Sequence, residues 1–317
     1  MAKSVPFVKF SNGQKYPQLG LGTWLSKEGD VIQAVKDAID IGYRHIDTAF
    51  AYGNEEEIGI AVKAKIEDGT VTRDQLYVTS KLWNTFHSTA KVFEAIDVSL
   101  KKLQLDYLDM YMIHWPMSYV EGREIFPKDE NGKFIFADVD YLESWKVMEK
   151  LVQQGKVHSL GLSNFNSEQI QRIIDNSTIK PVNVQVECNP YLDQSQLMNF
   201  CKERGIILTA YSPLANPTVP WKTSDDPKLL SDEKIKIIAA KHGKTVPQVC
   251  IRWQLQRGNM VIPKSVKRQR LEENFNVFDF ELTEEDMKTI DAQNMNYRAL
   301  HLNWVSEHKY WPFRIPF

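Results

Sequence analysis

Short apolar runs alternate with stretches whose apolar positions recur every third and fourth residue, from residue 19 to about residue 276. Runs of the first kind read as buried strands, and stretches of the second as helices laid on a sheet. The runs 19–22, 44–47, 77–80, 108–113, 157–162, 183–187, 206–210 and 260–262 predict eight strands. Between them, Val92, Ala95, Ile96, Ser99, Leu100 and Leu103 line one face of a helix over 88–103. Ser231, Asp232 and Glu233 open another helix that Gly243 closes after His242, and Thr283 with Asp286 has the spacing of a capping box. Eight strands with intervening helices and no break predict an α/β fold, a closed (β/α)8 TIM barrel spanning 1–317 as one domain. An open doubly wound sheet would need a phosphate fingerprint. Gly20-Leu21-Gly22-Thr23-Trp24-Leu25 lacks the third glycine and opens no helix.

Two features lie outside that alternation. Asn12-Gly13 between short alternating segments predicts a β-hairpin over 6–17 that plugs the barrel floor. Segments 115–139, 212–230 and 293–317 exceed ordinary connections, and they carry Trp115, Phe126, Trp221, Trp304, Tyr310 and Trp311. Long βα loops rich in aromatic side chains are expected to act as lids over substrate and cofactor.

Composition narrows the partners. With 317 residues, 43% hydrophobic and a formal net charge of −2, the chain is globular and has no general field for nucleic acid or anionic membrane. No stretch approaches the roughly 20 apolar residues of a membrane span, and no leader pattern opens the chain, so a cytoplasmic monomer is expected. Cys188, Cys201 and Cys250 form no paired motif and are expected as buried thiols; the Asn176 sequon carries no weight without a leader.

The chemistry sits at the strand ends. Asp47, Lys81 and His114 follow or close three apolar runs, and Tyr52 lies five residues beyond Asp47 in the next loop. Taken singly, Asp47 with Lys81 reads as a buried ion pair, Tyr52 as a packing residue and His114 as a satisfied core histidine. Jointly, a carboxylate, a phenol, an ammonium and an imidazole at one rim point to proton transfer onto a carbonyl oxygen. Asn164, Gln185, Glu187, Tyr211, Ser212 and Lys264 mark further strand exits aimed at the same mouth. Of seven histidines only His114 stands where a barrel metal ligand would, so no metal is expected.

The segments GTW, GYRHIDTAFAYGNE, TSKLW, MIHWP, GLSNF, QVECNPY, AYSPL and IPKSV, with Arg270, Glu273 and Asn274 downstream, resemble the aldo-keto reductases in order along nearly the whole chain. The resemblance implies NADPH-dependent reduction of aldehydes or ketones to alcohols. In it, Tyr52 is the general acid, Lys81 lowers the phenol's pKa, Asp47 holds Lys81, and His114 orients the carbonyl. It implies that Lys264, Ser265 and Arg270 hold the adenosine 2′-phosphate, with Val266 among the cofactor contacts and Glu273 and Asn274 at the adenine. Ser163, Asn164 and Gln185 are implied at the carboxamide, Tyr211 under the nicotinamide ring, Thr23 and Trp24 near the same end, and Ser212 and Leu214 at the pyrophosphate. The family's belt often reads SPLGSP, whereas here Ser212-Pro213-Leu214-Ala215-Asn216-Pro217 stands in its place.

Trp24, Trp83, His114, Trp115, Phe126 and Trp221 match positions that wall the family's substrate pocket. His114, where a branch reducing steroid C=C bonds carries Glu, implies C=O reduction. The tail resembles insect members, which implies a steroid ketone such as a 3-dehydroecdysteroid as substrate. The alternatives are a broad aldehyde and dicarbonyl reductase, or a non-catalytic NADPH-binding barrel.

Overall fold

The computed structural model describes residues 5–317 apart from 28, 123, 217 and 218. Strands β1 (Phe7–Lys9) and β2 (Lys15–Pro17) form the expected antiparallel hairpin, with Val8 opposite Tyr16 and Gly13 at a φ of 89° in the turn. Eight parallel strands follow in one sheet: β3 (Leu21–Gly22), β4 (His45–Asp47), β5 (Tyr77–Leu82), β6 (Leu108–Ile113), β7 (Val157–Ser163), β8 (Asn183–Glu187), β9 (Ile207–Tyr211) and β10 (Met260–Val261). The sheet curls closed through bridges pairing Leu19 with Val261 and Gly22 with Lys264. This is the (β/α)8 barrel that the alternation predicts.

Helices α1 (Asp30–Ile41), α2 (Glu55–Glu67), α3 (Thr89–Leu103), α4 (Tyr141–Gln153), α5 (Ser167–Asn176) and α6 (Ser195–Glu203) each follow one barrel strand. Two, α7 (Glu233–Lys241) and α8 (Val246–Gln256), separate β9 from β10, and α9 (Arg268–Phe275) and α10 (Glu284–Asp291) follow. Side chains start several of them. Asn166, Thr245 and Thr283 each close a reciprocal capping box, and Asp232 accepts from two backbone N–H groups at the start of α7. The α3 positions expected to face the sheet, from Val92 to Leu103, are buried.

Strand ends differ from expectation where they matter. Strand β5 runs two residues further than predicted because Lys81 and Leu82 pair with Met112 and Ile113. Lys81 is therefore part of the wall and does not sit at its exit. Strand β9 likewise includes Tyr211, opposite Glu187.

The hairpin packs on the entrance ends of the strands. Phe10 and Tyr16 join Met110, Met112, Val182 and Met260 in a separate apolar cluster, and the Tyr16 hydroxyl meets Thr79 Oγ1 at 2.7 Å. Above this floor the His45 ring fills the axis, and Gly20 makes room for it. A Cβ on Gly20 would stand 2.4 Å from His45 Nδ1. All three cysteines are free and buried, and among the described residues no helix is long and apolar enough to cross a membrane. Gly20→Ala is expected to lower stability by about 1–3 kcal/mol through overpacking against His45, checked by the shift in urea midpoint.

Candidate active site

One cavity of about 700 Å³ opens at the carboxyl ends of the barrel strands. At its base, Lys81 is fully enclosed, with its three N–H groups directed at three oxygens: Asp47 Oδ1 at 2.6 Å, the Thr48 carbonyl at 2.8 Å and Tyr52 Oη at 3.4 Å. The other carboxylate oxygen, Asp47 Oδ2, accepts from Gln185 Nε2 at 2.7 Å. Burial pushes Asp47 up and Lys81 down, and the charge of each partner opposes both shifts.

Tyr52 reaches this point from a single 3-10 turn, Phe50–Tyr52. Asn54 anchors the turn, accepting from Thr48 Oγ1 and donating to the Thr23 carbonyl, each at 3.0 Å. Because Lys81 donates to the phenol oxygen, the Tyr52 hydroxyl hydrogen is left to point elsewhere, into the cavity that Tyr52 lines. The expected net lowering of the phenol's pKa is corrected here. Burial first, and Asp47 second, hold Tyr52 well above its ordinary value, so it carries its proton at neutral pH.

His114 stands edge-on to the Tyr52 ring, with centroids 5.5 Å apart, and 5.2 Å from the Trp83 ring. Its Nδ1 is buried without a partner among the described residues. Burial, then the Lys81 charge, push its pKa well below the usual value and keep the ring neutral. A neutral imidazole can donate one hydrogen bond to an uncharged oxygen without competing for the Tyr52 proton.

A second group of polar side chains faces the same space. Asn164, at a φ of 61°, donates to the His114 carbonyl and to Ser163 Oγ, each at 3.0 Å, and accepts from the Tyr211 hydroxyl at 2.7 Å. That last bond fixes the Tyr211 ring as one wall. The far lobe is cationic, where Lys264, Ser265, Val266 and Arg270 lead into α9, with Glu273 and Asn274 beyond. Lys264 Nζ reaches across to the Leu25 carbonyl at 3.1 Å. Thr23, Ser212 and Leu214 border the passage between the lobes. Ser212, Ala215 and Asn216 all have positive φ, so Ala215 takes a left-handed backbone that glycine would adopt without strain. Pro217 lies outside the described residues.

The near lobe is aromatic, with Trp24, Trp83, Trp115, Phe126 and Trp221 around His114. Trp83 has a second task. Its indole N–H donates to the Ile125 carbonyl at 2.6 Å and so ties the 115–139 loop to the barrel. Leu300 and Leu302, which sequence reasoning did not single out, also line the cavity, together with Trp304 of the expected lid segment.

Two expected residues stand elsewhere. Lys81 does not line the cavity; it works from behind Tyr52 and Asp47. Glu187 turns from the mouth to the tail, where its oxygens accept from the Ala299 and Leu300 backbone N–H groups at 3.1 and 2.9 Å. Among the described residues no group of three or more His, Cys, Asp or Glu could hold a metal ion.

Comparison with known proteins agrees with this geometry. The sequence model of the Aldo/keto reductase family matches residues 18–294. Aldo-keto reductase family 1 member A1 of Xenopus tropicalis is 47% identical over 301 residues, 95% of this chain and 92% of the relative. Aldo-keto reductase family 1 member C15 of Rattus norvegicus is 47% identical over 312 residues, 96% of each. The solved structure of the aldose reductase from Schistosoma japonicum superposes with a TM-score of 0.93 at 42% identity, covering 99% of this chain and 100% of that one.

With its pKa lowered, His114 is expected to stay neutral at pH 6, where an exposed histidine is mostly protonated. Imidazole ¹⁵N shifts checked against a His114→Gln variant identify the ring, and a neutral-to-cationic transition near pH 6.5 would contradict the assignment.

Proposed function

The chain belongs to the aldo/keto reductase family and is an oxidoreductase of carbonyl and alcohol groups; from that premise we propose that it reduces apolar aldehydes or ketones to alcohols with NADPH. The observation that carries this reading is the Asp47–Lys81–Tyr52 chain ending at a protonated phenol beside a neutral imidazole.

The residues present fit the cofactor. The cavity is continuous from Tyr52 to the start of α9, and its far lobe offers Lys264, Ser265 and Arg270 at a helix N-terminus, a donor set suited to a phosphate. A side chain on Gly22 would meet the Ile262 carbonyl at 2.7 Å, so only glycine permits the close wall there. Ser163, Asn164 and Gln185 would hold the carboxamide, Tyr211 would support the ring, and Thr23, Trp24, Ser212, Leu214, Val266, Glu273 and Asn274 would border the rest. Bound NADPH supplies the hydride.

This chain's own residues do the remainder. His114 and Tyr52 bracket the carbonyl oxygen with hydrogen bonds and orient it. As negative charge develops there, Tyr52 passes its proton to the oxygen, because an alkoxide is a stronger base than a phenolate. Lys81, holding the phenol oxygen, stabilises the phenolate left behind. Asp47 keeps the ammonium in place and Gln185 keeps Asp47 in place. Trp24, Trp83, Trp115, Phe126 and Trp221 exclude water and receive the carbonyl compound's apolar body.

The charged side chains lining the cavity are Asp47 at its base and Lys264, Lys267, Arg270 and Glu273 at the far lobe; the aromatic lobe carries none among the described residues. A neutral apolar carbonyl fits it better than an anionic one, and a steroid ketone such as a 3-dehydroecdysteroid is our specific candidate. A broad aldehyde and dicarbonyl range is the second reading, favoured by the open rim where Phe126 and Trp304 are half exposed.

Tyr52→Phe is expected to cut kcat by about 10²–10⁴ with NADPH binding kept, measured by NADPH absorbance decay and by quenching of protein fluorescence. A variant with undiminished turnover defeats the assignment. Among carbonyl compounds of equal size, neutral ones are expected to show higher kcat/KM than carboxylate-bearing ones; the reverse ranking rejects the apolar-substrate reading.

A further inference from the structure

The tail from residue 293 is held along its length: the Tyr191 carbonyl accepts from the Met295 and Tyr297 backbone N–H groups, and further ties lie at residues 299–300 and at the far end. Its far end is tied to α5, where Asn166 Nδ2 donates to the Pro312 carbonyl, Gln169 Nε2 to that of Tyr310 and Ser167 Oγ to that of Phe317. His308 adds a link to the 115–139 loop, accepting from the Ser118 backbone N–H at 3.3 Å. At the near end, Glu187 accepts from two successive backbone N–H groups, one for each carboxylate oxygen.

Glu187 is unusual in being a fully buried carboxylate whose direct hydrogen bonds come from backbone. An ionised group is costly to bury unless its acceptors are filled. Arg298 stands beside it with its guanidinium 4.1 Å over the Phe313 ring, and Phe313 meets Trp115 edge-on at 6.1 Å. The two hydrogen bonds thus help to fix the point at which the tail turns over the cavity. Leu300, whose own N–H is captured, lines that cavity, as do Leu302 and Trp304 just beyond.

We propose that Glu187 is a positioning residue for substrate choice: it pins the near end of a strap so that Leu300 and Leu302 wall the aromatic lobe. The proposal rests on the carbonyl-reductase reading for its substrate readout. Glu187 lies on β8 two residues from Gln185, which holds Asp47, so the same rigid strand carries the support of the acid and the anchor of the substrate wall.

Glu187→Gln keeps the shape but turns an NH₂ toward one of the two backbone donors. The selectivity ratio, kcat/KM for a steroid ketone over that for butanal, is expected to fall about tenfold, through KM of the ketone. An unchanged ratio, or a fall through kcat with KM unmoved, overturns the proposal. Hydrogen exchange on the unmodified protein supplies a test that needs no variant. The amides of Ala299 and Leu300 are expected to exchange at least tenfold more slowly than those of Leu302 and Trp304, and equal rates overturn the anchor. If the unmodified protein turns over neither substrate, the reductase reading fails, and exchange alone decides the strap.

Discussion

The Lys81 ammonium is the constraint around which the site is built. A cation with no exposed surface is tolerated only if each N–H has an acceptor, and here the three acceptors are a carboxylate, a backbone carbonyl and a phenol. Two of these come from strand β4 and the residue after it, the third from the loop that follows. The barrel thereby fixes the Tyr52 oxygen through the needs of a buried charge. Glu55, three residues past Tyr52, accepts from Ser80 Oγ at 2.6 Å, so the same loop is stitched to the residue preceding Lys81. Asn54 and Glu55 hold the turn bearing Tyr52, and the ammonium holds its phenol oxygen.

The cavity divides its work by how its walls are held. Asp47, Lys81, Gln185 and Tyr211 belong to strands with partners on both sides, so their positions are as rigid as the barrel. The aromatic lobe depends on side chain to backbone bonds between loops: Trp83 to Ile125, Trp221 to Ala299, Glu187 to Ala299 and Leu300. The buried support of the acid is placed on paired strands, and the apolar wall on loops joined to one another by side chain to backbone bonds.

The eight strands and the quartet were legible because period and strand-end position carry information in any barrel. Asp47, Tyr52 and His114 could be placed from apolar runs alone. Lys81 was read one position too far out, since nothing local says that a charged residue will continue a ladder; its pairing with Met112 across β6 decides that. The direction of the Tyr52 shift was misread for a related reason. Sequence shows a lysine nearby, but burial outweighs it, and burial belongs to the assembled rim. Leu300 and Leu302 lacked any signal because a strap's register over a cavity is set by Glu187 and α5, residues far away in the chain. Even Glu187 was misaimed, since alternation along a strand says which face a side chain takes but not which loop will cover it.

The raised phenol sets the protonation state from which the proposed reduction starts. Reduction consumes the Tyr52 proton, and a group held above its ordinary pKa has that proton at every neutral pH. Oxidation of an alcohol draws on the phenolate, whose population shrinks as the same pKa rises. Lys81 narrows the gap only by stabilising the phenolate once formed, and its charge is partly committed to Asp47. At neutral pH the arrangement therefore works as an acid poised for a carbonyl, and His114, kept neutral by the same burial and the same ammonium, can orient that carbonyl without becoming a rival acid. Burial thus sets both neighbours in the sense that reduction requires, holding the Tyr52 phenol protonated and the His114 imidazole neutral.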